Sequence, residues 1–158
     1  MHFIEPILMP RGTHYGNNYW EVYSSKIKRK VCLFSNLEYE NFLTLEMNPL
    51  IKHFCEQPLK VDVIIDGEES RTVFDFWVKY QDGFEEMQEV KYSSELTGND
   101  KSSLRTQSQI ERQKFWCEQN HINYCIRTEE TINKGKFFIR NYNIMAAKVR
   151  RYVPSNID

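Results

Sequence analysis

A chain of 158 residues with 41% hydrophobic residues is sized for one domain with its own core, and a formal net charge of −1 excludes a globally basic nucleic-acid binder. Any contact with DNA must therefore come from a local patch, from metal ions or from a partner subunit. No apolar run reaches the length of a membrane span and Met1-His2-Phe3 opens no secretory leader, so a cytoplasmic protein without membrane contact is expected.

Cys32, Cys55, Cys117 and Cys125 lie far apart with no C-x-x-C pair and read as reduced thiols. His2, His14, His53 and His121 lack the spacing of zinc ligands. Residues 1–18 hold Pro6, Pro10, Gly12 and Gly16 and read as an extended arm. Tyr19–Tyr23 and Val31–Phe34 are expected as strands around a connector carrying Lys26, Lys28, Arg29 and Lys30. Such a run is either a solvated hairpin tip or a phosphate-contacting finger on DNA.

Ser35-Asn36-Leu37-Glu38 opens a helix that runs to about Met47 and is stopped by Asn48-Pro49. The S-x-x-E pattern is a capping box, which by itself accounts for Glu38. Helical spacing adds that Glu38, Phe42 and Leu45 share a face while Glu40 points away. Glu38 then stands at the N-terminal end of a face that meets a sheet, within reach of a metal held by strands. Ile51–Glu56, Gln57-Pro58, an alternating strand Leu59–Ile65 and the turn Asp66-Gly67 follow.

The next stretch predicts a hairpin, with strands Arg71–Tyr80 and about Glu85–Tyr92 joined across Gln81-Asp82-Gly83. Alternation puts Val73, Asp75 and Trp77 on one face and Phe74, Phe76 and Val78 on the other. Glu89 and Lys91 point one way on the second strand, and Val90 points the other. A carboxylate set among Phe, Trp and Val costs several kcal/mol, as an order of magnitude, unless a charge or metal compensates it. Two carboxylates and a lysine at strand ends suit a divalent-metal site that hydrolyses phosphodiesters. The alternative is an ordinary hairpin with Asp75 paired to Lys91.

Ser93–Ser103 is polar and reads as a loop, and Ser103 to about Asn120 as a helix with Leu104, Ile110, Phe115 and Cys117 as a weak apolar stripe. Asn123–Arg127 is a strand, a helix starts near Thr128-Glu129-Glu130, and Ala146–Arg151 reads as a terminal helix in a basic, aromatic tail from Lys136. A helix feeding a meander of strands, then a second helix returning to one more strand, is an α/β sandwich around a mixed sheet.

Carboxylates on central strands and a first helix, followed by Glu-x-Lys, resemble the restriction-endonuclease-like nucleases. The match tightens at Ser35-Asn36-Leu37-Glu38, Leu43-x-Leu45-Glu46, Cys55-Glu56-Gln57-Pro58, Asp75-Phe76-Trp77-Val78 and Glu89-Val90-Lys91. With Glu111-Arg112-Gln113-Lys114-x-Trp116 through Ile126-x-Thr128-Glu129, these segments resemble the TnsA family, endonuclease subunits of multi-protein transposons, from about Gly16 to Ile132. The division implied is an arm over 1–18, a catalytic domain over 19–132 and a short basic extension over 133–158.

The resemblance implies a Mg²⁺-dependent endonuclease, with Mn²⁺ as a substitute, that nicks double-stranded DNA at the 5′ ends of a transposon. Its partners would be an integrase-type transposase subunit and an ATPase regulator, which in longer relatives docks on a C-terminal helical domain. Glu38, Asp75 and Lys91 fall on the catalytic positions, and Glu89 completes the general nuclease pattern although some members carry Gln there. Phe74 stands where many nucleases of this fold have Pro. Asp75, Glu89 and the Val90 carbonyl would hold one metal ion, and Glu38 with Asp75 a second. Two other readings stand beside this one: a nuclease of the same fold serving restriction, recombination or phage DNA processing, and a non-catalytic DNA-binding or scaffolding subunit.

Overall fold

The computed structural model of the chain describes residues 2–9, 18–133, 135 and 137–151. Strands β1 (Trp20–Ser24) and β2 (Arg29–Leu33) form an antiparallel hairpin that leads into helix α1 (Asn36–Met47). Ser35 caps α1 by accepting the Glu38 N–H at 3.1 Å, as the S-x-x-E pattern requires. Strands β3 (Ile51–Glu56), β4 (Lys60–Ile65), β5 (Glu68–Val73), β6 (Phe76–Tyr80) and β7 (Glu85–Val90) follow in sequence with no helix between them. Helices α2 (Ser93–Thr97) and α3 (Lys101–Gln119), strand β8 (Asn123–Arg127), and helices α4 (Glu129–Ile132) and α5 (Phe138–Arg151) complete the chain.

The central sheet has the order β3-β6-β7-β8, with β6 antiparallel to both its neighbours and β8 parallel to β7. A parallel return needs a crossover, and α3 supplies it. This is the expected mixed sheet flanked by helices. Its two faces carry separate cores, because successive strand residues point to opposite sides. On the α1 side lie Phe54, Phe76, Val78 and Val90 with Leu37, Phe42 and Leu45. On the α3 side lie Cys55, Trp77 and Met87 with Phe74 and Cys117.

Several expectations are corrected. The strand expected over Arg71–Tyr80 is two strands: residues up to Val73 pair with β4 in a separate ribbon, and the central sheet begins at Phe76. The break lies at Phe74-Asp75, where the Asp75 carbonyl accepts the Gln57 N–H at 2.9 Å and its carboxylate accepts the Val90 N–H at 2.7 Å. Phe74 consequently packs with Trp77 rather than with Phe76 and Val78. The polar stretch Ser93–Ser103 is not a loop throughout. The Glu95 carboxylate takes the Tyr92 N–H at 3.0 Å and Glu129 takes the Ser93 N–H at 2.9 Å, closing α2, and Asp100 caps α3. The buried face of α3 is Ser103, Thr106, Ile110, Gln113 and Cys117, while Leu104 and Phe115 face outward.

Helix α5 begins at Phe138, well before Ala146, and lies on α1: Ala146 is buried and the Tyr39 hydroxyl donates to Asn143 Oδ1 at 2.5 Å. The described part of the N-terminal arm is held by the Ile7 N–H on the Gln57 carbonyl at 2.9 Å and by Phe3 edge-on to Trp77. The remainder of the arm, residues 10–17, and the terminal residues 152–158 lie outside the described residues. Among the described residues no helix is long and apolar enough to cross a membrane.

Candidate active site

Where β6 and β7 leave the core beside the first turn of α1, the chain gathers Glu38, Asp75, Glu89 and Lys91. Glu38 does two things at once. Its Oε1 accepts the Ser35 hydroxyl at 3.2 Å and its Oε2 accepts the Phe34 N–H at 3.0 Å, so it is the cap. It is also buried, and with Asp75 and Lys91 it lines a cleft of about 320 Å³. The same three residues line a second cleft on the side of Tyr92 and Glu95, so the site opens two ways.

Glu89 is fully buried on the α3 side of β7. Its Oε1 accepts Lys91 Nζ and Gln109 Nε2, each at 2.9 Å, and its Oε2 accepts Gln113 Nε2 at 2.9 Å. Lys91 is therefore bonded to Glu89, while Asp75 acts on it as the first of its charged neighbours. The simple Asp75–Lys91 pair gives way to a cluster. Val90 enters through its amide, which donates to Asp75 at 2.7 Å.

The electrostatics follow from burial and crowding. Desolvation, then the charge of Asp75, pushes Glu38 up to about 8, against the Phe34 and Ser35 bonds that favour its ionised form. The same two causes in the same order push Glu89 up to about 7, opposed by Lys91 and Gln113. Burial lowers the Lys91 ammonium, yet Asp75 and Glu89 outweigh it and hold the pKa above the usual lysine range. Asp75 is the carboxylate that both glutamates share as their leading charged neighbour.

Such a set fits a hard divalent cation. All donors are oxygens, and burial together with the charge of Asp75 makes each glutamate resist ionising, a conflict that a cation relieves. Among the described residues no three His, Cys, Asp or Glu side chains are grouped closely enough to hold a metal by themselves. Mg²⁺ asks for less: it keeps several waters and takes one or two carboxylates plus substrate phosphate oxygens. Asp75 and Glu89 meet that requirement, with Lys91 or Gln109 giving up its place on Glu89 Oε1.

Two residues outside the expected set organise the site. Gln113 donates to Glu89, to Thr72 Oγ1 at 3.1 Å and to the Val73 carbonyl at 3.2 Å, and it accepts the Tyr124 hydroxyl at 2.6 Å. One buried amide thus ties α3, β5, β7 and β8 together around a carboxylate. Gln109 holds the other oxygen of Glu89. The segment Glu111-Arg112-Gln113-Lys114 belongs to the family-like pattern and so carries a sequence signal for Gln113, but nothing in it marks Gln113 as buried, and Gln109 lies outside it.

The cationic connector does not present four free charges. Lys26 Nζ caps the end of α1, donating to the Leu45 and Asn48 carbonyls at 2.6 Å, and burial lowers its pKa to about 8. Arg29 makes a bidentate pair with buried Glu56, both bonds at 2.7 Å. The tip amides of Ser25 and Lys26 rest on Glu46. Lys30 pairs with Glu21 at 3.1 Å, and Lys28 stays exposed at the turn. As a phosphate-contacting finger the connector is reduced to Lys28 and Lys30, because Lys26 and Arg29 fasten the hairpin to α1 and β3.

A family model described as "TnsA-like endonuclease N terminal" matches residues 48–129, just over half of the chain. The span contains Asp75, Glu89, Lys91, Gln109 and Gln113 and begins after Glu38. No curated protein matches the chain.

Proposed function

The chain belongs to the TnsA-like endonuclease family, and from that premise we propose that it is the Mg²⁺-dependent DNA endonuclease subunit of a multi-protein transposase, nicking DNA at the 5′ ends of the transposon. One observation carries the reading. A hairpin and a helix start bring Glu38, Asp75 and Lys91 to one cleft, with Glu89 bonded to Lys91 behind them. Asp75, Glu89 and the Val90 carbonyl would hold the first cation, and Glu38 with Asp75 would hold or orient a second; Mn²⁺ would serve in place of Mg²⁺. When bound, the cation would supply Lewis-acid polarisation of a phosphoryl oxygen and make water more acidic.

The protein's own groups do the rest. Lys91, kept charged by Asp75 and Glu89, counters negative charge growing on the phosphate and positions the attacking water. Glu38 has its carboxylate fixed by the Phe34 amide and Ser35, which holds it beside Asp75 at the cleft. Gln113 and Gln109 stop Glu89 from turning away. The integrase-type transposase and the ATPase regulator would deliver the transposon ends, since a chain of net charge −1 binds DNA on its own only weakly and at low salt.

The test is reconstitution with the transposase and ATPase encoded beside this chain, on a duplex carrying the transposon end. Nicks at the 5′ ends with Mg²⁺ or Mn²⁺, lost in Asp75→Asn and Lys91→Ala, are expected. Full nicking by both variants would overturn the assignment.

A further inference from the structure

Gln109 fixes one edge of α3 against the site, and that edge carries two arginines. Arg105, Gln109 and Arg112 stand at i, i+4 and i+7, so they share one side of the helix. Gln109 bonds Glu89 at 2.9 Å, and Arg112 lines the cleft with Glu38, Asp75 and Lys91. The other arginine that lines this cleft, Arg71, is paired with Asp62 at 2.6 Å. Among the described residues the Arg105 and Arg112 side chains form no hydrogen bond or ion pair. Arg105 is exposed and Arg112 half-buried at the mouth of the cleft.

We propose that this edge of α3, led by Arg112 with Arg105 beyond it, is the surface that seats the phosphate backbone of duplex DNA next to the active site. The inference rests on the nuclease reading for its substrate and deepens it by naming where that substrate lies. A guanidinium suits the role because its fork of donors matches two phosphate oxygens and its charge survives partial burial. The geometry gives the contact a register: a backbone seated on Arg112 runs past Asp75 and Lys91 in the same cleft. The surface takes the place of the Lys26–Lys30 connector, half of which is turned inward.

The experiment measures binding of the whole chain to a plain duplex oligonucleotide in chelator, across a KCl titration, for wild type, Arg105→Ala/Arg112→Ala, Arg105→Lys/Arg112→Lys and Lys28→Ala/Lys30→Ala. The slope of log K against log salt should fall by about 0.9 for each arginine removed and stay nearly unchanged in the lysine pair. The connector variant should lose less than the double alanine. An unchanged slope in the double alanine, a larger loss in the connector variant, or no binding by wild type at low salt overturns the proposal. Retention of wild type on poly-glutamate but not on duplex would assign the edge to an acidic protein segment and overturn it too. Binding is measured in chelator, apart from the nicking assay, so wild type that binds with the expected slope but never nicks DNA sinks the nuclease reading alone. Nicking that persists in the double alanine with unchanged KM and slope sinks only the docking surface.

Discussion

Two demands fall on Asp75: its carboxylate accepts the Val90 amide at 2.7 Å, and its charge helps push Glu38 up to about 8 and Glu89 up to about 7. Asn at this position would keep an acceptor for the amide and remove the charge. Asp75→Asn is therefore expected to melt at or above the wild-type temperature in chelator at pH 8, while nicking and the stabilisation by Mg²⁺ are lost. Asp75→Ala also strips the amide of its partner, at about 1–3 kcal/mol, so it should melt below Asp75→Asn. If Asn melts as low as Ala, the carboxylate is structural rather than a strained ligand. The sequence pattern, together with the family resemblance, pointed to Glu38, Asp75, Glu89 and Lys91 as one group, and the fold brings the four together. Gln113 was not, since a glutamine among Gln, Glu, Arg and Lys reads as surface, and only the closing of α3 onto β5, β7 and β8 buries it. Gln113→Ala would leave the Tyr124 hydroxyl and one Glu89 oxygen unpaired in a cavity. A loss of about 2–4 kcal/mol in urea denaturation is expected, and a loss under 1 kcal/mol would show that the tie is incidental.

The β1–β2 hairpin shows how an element can be read correctly in outline and wrongly in role. Its strands were placed within a residue or two, but four clustered cations look alike in sequence whether they meet solvent or a buried acid. Glu46 and Glu56, both buried, decide the matter by fastening the hairpin tip and Arg29. Arg29→Ala would leave Glu56 buried and unpaired, which costs about 3–5 kcal/mol. Lys28→Ala and Lys30→Ala should stay within about 0.5 kcal/mol, as surface substitutions do. Urea midpoints for the three variants check this, and equal losses would return Arg29 to the surface. The strand Asn123–Arg127 was read to the residue, whereas Ile51–Glu56 was set off by Pro49 and Gln57-Pro58 but not recognised as a strand of the sheet. The break at Phe74-Asp75 was hidden, because hydrophobic alternation runs straight through it. The bonds that make the break reach Gln57 and Val90, and no local pattern encodes those.

At the scale of the whole molecule the restriction-endonuclease-like fold places its charge conflict at the rim between two apolar cores, where a cation can enter. The sign of the resulting pH dependence follows from which state binds more protons. Unfolded glutamates titrate near 4.3, while in the folded, metal-free protein Glu38 is pushed up to about 8 and Glu89 up to about 7. Between those limits the folded state holds the extra protons, so the stability these groups contribute is fully present below about pH 4 and drains away as pH rises to about 8. His53 opposes this loss: burial, then His2 and Arg29, lower its pKa, so its contribution grows as pH rises to about 6.5. Asp75→Asn isolates the glutamate part, because it lowers both carboxyls without touching His53. The expected result is a wild-type melting temperature in chelator that falls from pH 6.5 to pH 8, and a shallower fall in Asp75→Asn. Mg²⁺ binds the ionised carboxylates, so its stabilisation of wild type should be larger at pH 8 than at pH 6. Melting curves at matched ionic strength decide it. A wild-type temperature that is flat from pH 6.5 to pH 8 in chelator, with an Mg²⁺ increment independent of pH, would mean that the glutamates are ionised without help and that no cation is needed to settle the site.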